Sequence, residues 1–372
     1  MIFFSVLIPI ITAVFLYVFF KHKTVWWELF IPMVISVIFI VIFKYVAISF
    51  VSSDTEYWSD IVVQANYYEE WDEYIHKTCE SCETDSKGDR KCHTYDCSYV
   101  DTHPQYWEIV TKTGWVMNID NDEYNRLIRR FKCKPIFVDM DRDYYTNDGD
   151  SYKIIWDGSD DKLECVVRSH EYENRTQVSD GIYNFHDVSD KDIKKYKLQS
   201  YPSINKYHKQ RHLLGASDKV AEHNLDIINA KFGPTRELKA FVIVFKDQPI
   251  DAGIAQEAYW GGGNKNEFVL TIGIDSNGHV TWCYPFSWTE DASNEINIRN
   301  FVYKYRQSRI NLSEITEYMM VQLSDFNRKH FSDFDYLNVE PTNTQKIWSY
   351  ILTFLINIGL SIWLIKNEFS ND

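Results

Sequence analysis

Four cysteines come closest to a recognisable chemistry. Cys79, Cys82, Cys92 and Cys97 are spaced x2, x9 and x4, with His76 and His93 beside them. Four thiolates at such short spacing surround a zinc ion tetrahedrally, and Cys-x2-Cys is a usual half-site. The same residues also suit two disulfides that staple a long hairpin around Asp85-Ser86-Lys87-Gly88-Asp89. The second half, Cys-x4-Cys, is looser than a zinc ribbon prefers. An oxidising compartment would favour disulfides and a reducing one zinc. In both cases the expected role is a structural clamp. Cys133, Cys165 and Cys283 remain, and three cannot pair completely. Cys283 lies in an apolar strand, where a thiol acts as a small buried hydrophobe.

A second cluster is acidic: Asp139, Asp141 and Asp143, then Asn147, Asp148 and Asp150. Aligned to a calcium loop these supply oxygens at the ligand positions, which suits calcium or magnesium. Against that, Tyr144 stands where the sharp turn needs glycine, and Asp150 replaces the bidentate Glu. The default expectation is a solvated acidic turn. Gly261-Gly262-Gly263 before Lys265 invites a phosphate-loop reading, but here a helix leads into a strand, the reverse of a P-loop. A helix C-cap and connecting loop is expected instead. His208 and His212 have the spacing of a helical metal pair without the Glu of His-Glu-x2-His. There is no Gly-x-Ser-x-Gly elbow, so no catalytic triad can be drawn without arbitrariness. Asn174 and Asn311 fit a glycosylation pattern that matters only in a eukaryotic secretory route.

These groups must be held by something, and composition says what. The 372 residues carry 39 Lys+Arg against 53 Asp+Glu, a net charge of −14. That excludes the phosphate-neutralising surface of a nucleic-acid-binding protein. The charge is unevenly spread. Ile2–Phe20, Val25–Phe43 and Ile347–Ile365 are apolar runs with Glu28 as their one charge, and each would cover roughly the ~30 Å hydrocarbon core as a helix. Trp26, Trp27, Trp348 and Trp363 stand at the ends of these runs, where amphipathic rings settle at the headgroups. Three transmembrane helices are expected, with the lipid bilayer as the first partner. Lys21, Lys23 and Lys366 lie on one side and Lys44 and Lys346 on the other, a small excess that places the body outside the cytoplasm.

The sequence thus divides into a helical hairpin (1–50), a Cys- and Tyr-rich, strand-rich region (51–210), an α/β subdomain (211–345) and a C-terminal helix with a short tail (346–372). The fold class is a membrane-anchored α+β/α/β protein. In the α/β part, Ser217 can cap a helix carrying Val220, Ala221, Leu225 and Ile228, ended by Gly233-Pro234. Ala240–Phe245 reads as a strand buried on both faces, and Phe268–Ile274 as its neighbour after a helical crossover. Asn277-Gly278 turns the chain into an antiparallel partner, His279–Tyr284. The sheet should be closed by the 217–232 helix or by one near 293–307.

Several stretches are familiar in combination: Trp71-Asp-Glu-Tyr-Ile-His-Lys-Thr-Cys79, Cys97-Ser-Tyr-Val with His103-Pro-Gln-Tyr-Trp107, Tyr144-Tyr-Thr-Asn-Asp-Gly-Asp150, Tyr172-Glu-Asn-Arg175, and Gly262-Gly-Asn-Lys-Asn-Glu-Phe268 with Phe286-Ser-Trp288. Together, over about residues 56–305, they resemble a family of uncharacterised proteins of tailed bacteriophages and bacteria. The resemblance implies a phage-derived or bacterial membrane setting, in the host inner membrane, and carries no catalytic residue. The order of elements over about 238–305 is similar to the TPM domain, an extracytoplasmic, membrane-anchored module some of whose members are described as phosphatases. The acids near the second strand are only Asp275, Glu290 and Asp291, so this likeness implies fold and not activity. Two functions follow as expectations. One is a module that binds a membrane or cell-envelope protein, for which 25 Tyr and 12 Trp suit contact surfaces. The other is a metal-dependent hydrolase using the acids at 139–150 or 275–291.

Overall fold

A computed structural model describes residues 5–20, 25–84, 88, 90–142, 148–178 and 188–367. In chain order the elements are α1 (Leu7–Phe20), α2 (Phe30–Ser52), β1 (Ser53–Tyr68), β2 (Trp71–Ile75), β3 (Thr78–Thr84), β4 (Arg90–Asp96), β5 (Tyr99–His103), β6 (Tyr106–Thr111) and β7 (Val116–Ile119). Then come α3 (Asn121–Phe131), β8 (Ile136–Val138), β9 (Ser151–Ile155), β10 (Cys165–Glu173), α4 (Arg175–Val178), α5 (Asp190–Tyr196), β11 (Leu213–Leu214) and α6 (Lys219–Arg236). The last are β12 (Lys239–Lys246), α7 (Asp251–Tyr259), β13 (Glu267–Ile274), β14 (Val280–Ser287), α8 (Ser293–Val302), α9 (Leu312–Gln322) and α10 (Asn343–Asn367). The chain is mixed α/β. It divides into two compact units, one of residues 1–56, 171–186 and 330–372, the other of 57–170 and 187–329.

In the first unit α1, α2 and α10 pack pairwise. The helices α2 and α10 are long and apolar enough to cross a membrane; α1 is shorter, about 21 Å at 1.5 Å per residue. The expected first run began at Ile2, and residues 1–4 lie outside the described residues. Pro9 and Pro32 each stand third in their helices, where no intrahelical N–H bond is lost. Side-chain distribution is reversed from that of a water-soluble bundle. Ser36, Ser349, Thr353 and Asn357 are fully buried, whereas Ile11, Phe19, Val34, Ile38, Phe354 and Leu355 are at least half exposed. Polar groups bind one another across the helices: Asn357 Nδ2 donates to Ser36 Oγ at 2.8 Å, and Ser5 and Ser349 hydroxyls meet at 3.3 Å. Gln345 Nε2 donates to the Ala47 carbonyl at 3.4 Å. With the pairs 36/357 and 47/345 in register, α2 and α10 run antiparallel.

In the second unit β1 is the central strand of a six-stranded sheet, order β7-β6-β1-β9-β8, with β10 also on β1. Ala65 sits opposite both Ile109 and Ile154, and all three are buried against Tyr124, Leu127 and Phe131 of α3. Sequence reading anticipated the strands here but not α3. Its signals are ordinary ones: an apolar stripe at 124, 127 and 131, and Asp120 capping the Glu123 N–H at 3.0 Å.

The four-stranded sheet has the order β11-β12-β13-β14. Strand β12 runs parallel to β13, with Ala240 opposite Phe268 and Phe245 opposite Gly273, and β14 is antiparallel to β13. Alternation explains why β12 is apolar throughout. Ala240, Val242 and Val244 face α6, α8 and α9, while Phe241, Ile243 and Phe245 face α7. The expected sheet and its closing helices are therefore present, with α9 added, but α6 is capped by Asp218 rather than Ser217 and runs through Gly233-Pro234 to Arg236. At the turn, Gly278 takes φ +84°.

Candidate functional site

The cysteines form two disulfides, Cys79–Cys97 and Cys82–Cys92. Cys82 and Cys92 are directly opposed in the β3–β4 register. The strand pairs β2–β5 and β3–β4 follow one another along a single hairpin arm. From Trp71 to Thr84 that is roughly 40 Å of extended chain. No described residue between Trp71 and His103 is buried, and every residue of β4 is exposed. Tyr95, Tyr99 and Val100 are nearly half exposed. At the arm's base Trp71 stacks on His103 at 3.9 Å, with the Arg142 guanidinium 4.4 Å over the indole. A two-stranded ribbon without a core is marginal on its own, so the disulfides carry its order.

The acidic cluster is partly gathered. Ligand atoms of Asp139, Asp148 and Asp150 lie within 4.8 Å of one another. Asp139 Oδ1 accepts the Asp141 N–H at 2.9 Å, and Asp150 Oδ1 accepts the Met140 N–H at 3.2 Å. These bonds make the carboxylates part of the turn's own backbone satisfaction. Asp143 and Asn147 lie outside the described residues. The acids near the second strand are not brought together. Asp275 accepts the Asn277 and His279 N–H groups, which holds its carboxyl below the usual range; Glu290 accepts from Asn327 and Asp291 from Ser293. The glycine loop caps α7: the Gly261 N–H donates to Ala258 O at 3.0 Å and the Gly262 N–H to Glu257 O at 2.8 Å. His208 and His212 are not on a helix.

The constellation that sequence reading missed lies in the core of the second unit. His212 precedes β11, Lys239 opens β12, Asp226 is on α6, Ser59 on β1 and Cys165 on β10. His212 Nδ1 and Asp226 Oδ1 are 2.9 Å apart; Lys239 Nζ lies 2.8 Å from both His212 Nε2 and Ser59 Oγ. The Ser59 hydroxyl also bonds the Cys165 thiol. Ser59 and Lys239 are fully buried and His212 is 1% exposed. Gly233 makes the approach possible, because a Cβ there would run into the Ser59 carbonyl. Asn229 ties α6 to β12, accepting the Ala240 N–H at 2.6 Å and donating to the Ala240 carbonyl at 3.0 Å.

Burial sets the protons. It holds His212 well below the ordinary histidine pKa, with the Lys239 charge adding to the effect. A neutral imidazole whose Nδ1–H faces the Asp226 carboxylate leaves Nε2 to accept from the Lys239 ammonium. Burial pushes Lys239 down to about 8 and Asp226 up to about 6. The result is a chain with Lys239 as the central donor, to Ser59 on one side and through His212 to Asp226 on the other. Ligand atoms of His212, Glu222 and Asp226 fall within 4.8 Å. Glu222, however, already accepts the backbone N–H groups of His212 and Leu213 at 2.8 and 3.0 Å. A cavity of about 180 Å³ reaches Glu222, Asp226 and Cys165 but is not lined by Ser59, Lys239 or His212. The chain is therefore a polar tie between two sheets, with Ser59, Lys239 and His212 closed off and only Asp226 open to the cavity.

This tie has a pH signature. Since the folded pKa of Lys239 lies below its unfolded value, the unfolded chain binds more protons between pH 8 and 10.5, and stability rises with pH across that window. Between pH 8 and 9.5 the gain should be about 2 kcal/mol. In Lys239→Met that rise should vanish, because the titrating group is gone. Denaturant unfolding of the full chain in mild detergent at the two pH values checks this; an equal slope in both proteins would contradict it.

An open cleft of about 340 Å³ is a further feature with no sequence signal. It is lined by Glu257, Tyr284, Ser287, Glu295 and Arg299. Burial raises both carboxyls, and the Tyr284 hydroxyl donates to Glu257 at 2.5 Å. The two acids come from α7 and α8, which pack on opposite faces of the sheet at its edge strand β14. Set against known proteins, the chain matches no family model, no curated protein and no solved structure.

Proposed function

We propose that this is a membrane-anchored protein whose body lies on the extracytoplasmic side and binds a cell-envelope or membrane protein through the stapled arm. Three spanning helices are the natural reading of a bundle whose polar residues point inward and whose aliphatic residues point outward, since only lipid rewards that arrangement. Two disulfides fit an oxidising compartment. The phage-derived or bacterial setting implied by the sequence resemblance agrees with both.

The observation that carries the binding reading is the arm. A ribbon of this length buries none of its described residues, contributes nothing to either core, and is nevertheless held in one shape by two covalent links. Order retained on an exposed surface, with Tyr95, Tyr99 and Val100 presented on it, is what recognition requires. The hydrolase alternative has less behind it, because the buried serine and lysine are out of reach and Asp139 and Asp150 already accept N–H groups of their own turn.

Benzophenone photo-crosslinkers at Tyr95 and Tyr99 test this in intact cells. Discrete adducts with one partner are expected from both positions and should be lost when Cys79 and Cys97 are both changed to Ser. Adducts confined to a body position such as Val220, with none from the arm, would overturn the assignment.

A further inference from the structure

Beside the polar face of the anchor is a groove of about 620 Å³, lined by the α2 residues Ile40, Val41, Lys44, Tyr45 and Ile48 and by the segment from Asp335 to Lys346, with Arg175 at its edge. All of these belong to one unit. The floor is aliphatic, and the two tyrosines at its rim, Tyr45 and Tyr336, are 72% and 73% exposed. The charges are mixed in a particular way. Three cations (Lys44, Arg175, Lys346) and two carboxylates (Asp335, Glu340) face the same groove. Lys346 Nζ lies 2.7 Å from Glu340 Oε2, and Arg175 Nε lies 3.8 Å from Asp335 Oδ1. The lysines hold the Glu340 carboxyl below the usual range.

Level along the helix matters as much as charge. Gln345 touches Ala47, so Lys346 and Lys44 stand at the same height. Below them α2 is apolar from Phe30 to Phe43, about 20 Å of helix. If the bundle spans a bilayer, this is the headgroup level, with lipid tails running down the outside of α2.

We infer that the groove binds one phosphatidylethanolamine molecule of the surrounding bilayer. This rests on the membrane reading above. Its phosphodiester carries one negative charge for the Lys44, Arg175 and Lys346 side, and its ammonium has three N–H donors for Glu340 and Asp335. The acyl chains lie on Ile40, Val41 and Ile48. Phosphatidylcholine has the same charges but no N–H to donate, which leaves the two carboxylates without hydrogen bonds from the ligand. Phosphatidylglycerol offers those carboxylates no cation.

The test is lipid binding to the full chain in detergent, read by native mass spectrometry with lipids of matched acyl chains. Phosphatidylethanolamine should bind at least about tenfold more tightly than phosphatidylcholine and phosphatidylglycerol. Glu340→Gln should bring the ethanolamine-to-choline ratio toward one while leaving choline-lipid binding in place, and Lys346→Gln should weaken both zwitterionic lipids. Equal binding of the ethanolamine and choline lipids, preference for phosphatidylglycerol, an unchanged ratio in Glu340→Gln, or equal competition by tail-free glycerophosphoethanolamine would each overturn the inference. Alkaline carbonate extraction of the wild type separates the two readings. A chain released by carbonate defeats the anchor itself; a chain retained in the membrane without lipid discrimination defeats only this site.

Discussion

Val244→Asp should leave the body without a cooperative melting transition. Val244 is 4% exposed in β12, packed among residues of α6, α8 and α9. The substitution removes an aliphatic side chain worth about 1.5–3 kcal/mol of burial. It also places a carboxylate where the packed surface is aliphatic, so the group must either take up a proton or stay charged at a cost of several kcal/mol. Together the loss is at least about 4 kcal/mol, enough to unfold a typical domain. Val220→Asp is the matched control. That residue is 54% exposed in the first turn of α6, where an added acid faces the positive end of the helix dipole, and the melting temperature should scarcely move. Circular dichroism melts of the two variants decide the matter. If Val244→Asp melts like the wild type, β12 is not a central strand.

Loss of both disulfides should have an effect of similar size in a different place. Chain entropy assigns each loop, of 18 and 10 residues' separation, about 3 kcal/mol of stabilisation. The sequence alone suggests that this would be lost from the body as a whole. The structure confines it to the arm, because no buried residue connects β3 or β4 to a core. With all four cysteines changed to Ser, residues 76–84 and 90–98 should lose their order and become cleavable by protease at least tenfold faster. The body's melting temperature should change by no more than a degree or two. Limited proteolysis alongside a melt checks both halves, and an arm as resistant as the wild type's would show that the disulfides are not what holds it.

How much of this could be read from the chain depends on the range of each interaction. Ala240–Phe245, the Asn277-Gly278 turn and the long apolar runs are local patterns, and local patterns survive into the fold. The glycine loop was legible for the same reason: its job is to end α7, and both neighbours announce it. The Ser59–Lys239–His212–Asp226 chain was not legible. Ser59 and Lys239 are 180 residues apart in sequence, and His212 lies 27 from Lys239. No spacing rule links them. One trace was present, a lysine opening an otherwise unbroken apolar strand, and a buried cation at that position demands partners from elsewhere. Helix α3 escapes a sequence reading because an acidic and tyrosine-rich stretch looks like strands and turns, although Tyr124, Leu127 and Phe131 already share a helical face. The 139–150 acids are a mixed case: spacing pointed to Asp139, Asp148 and Asp150 coming together, and they do, while Asp139 and Asp150 also accept backbone N–H groups of their own turn.

The contact between Ser36 and Asn357 joins positions 321 residues apart, and that between Ser5 and Ser349 spans 344. Synthesis makes α1 and α2 before the body and α10 after it. For most of the time the chain is being made, the serines of the first two helices therefore have no partner, and the interior they are shaped to form stays open. Everything between must be produced before the third helix can close that interior. A chain halted anywhere in the body therefore leaves Ser36 of α2 without the helix that buries it.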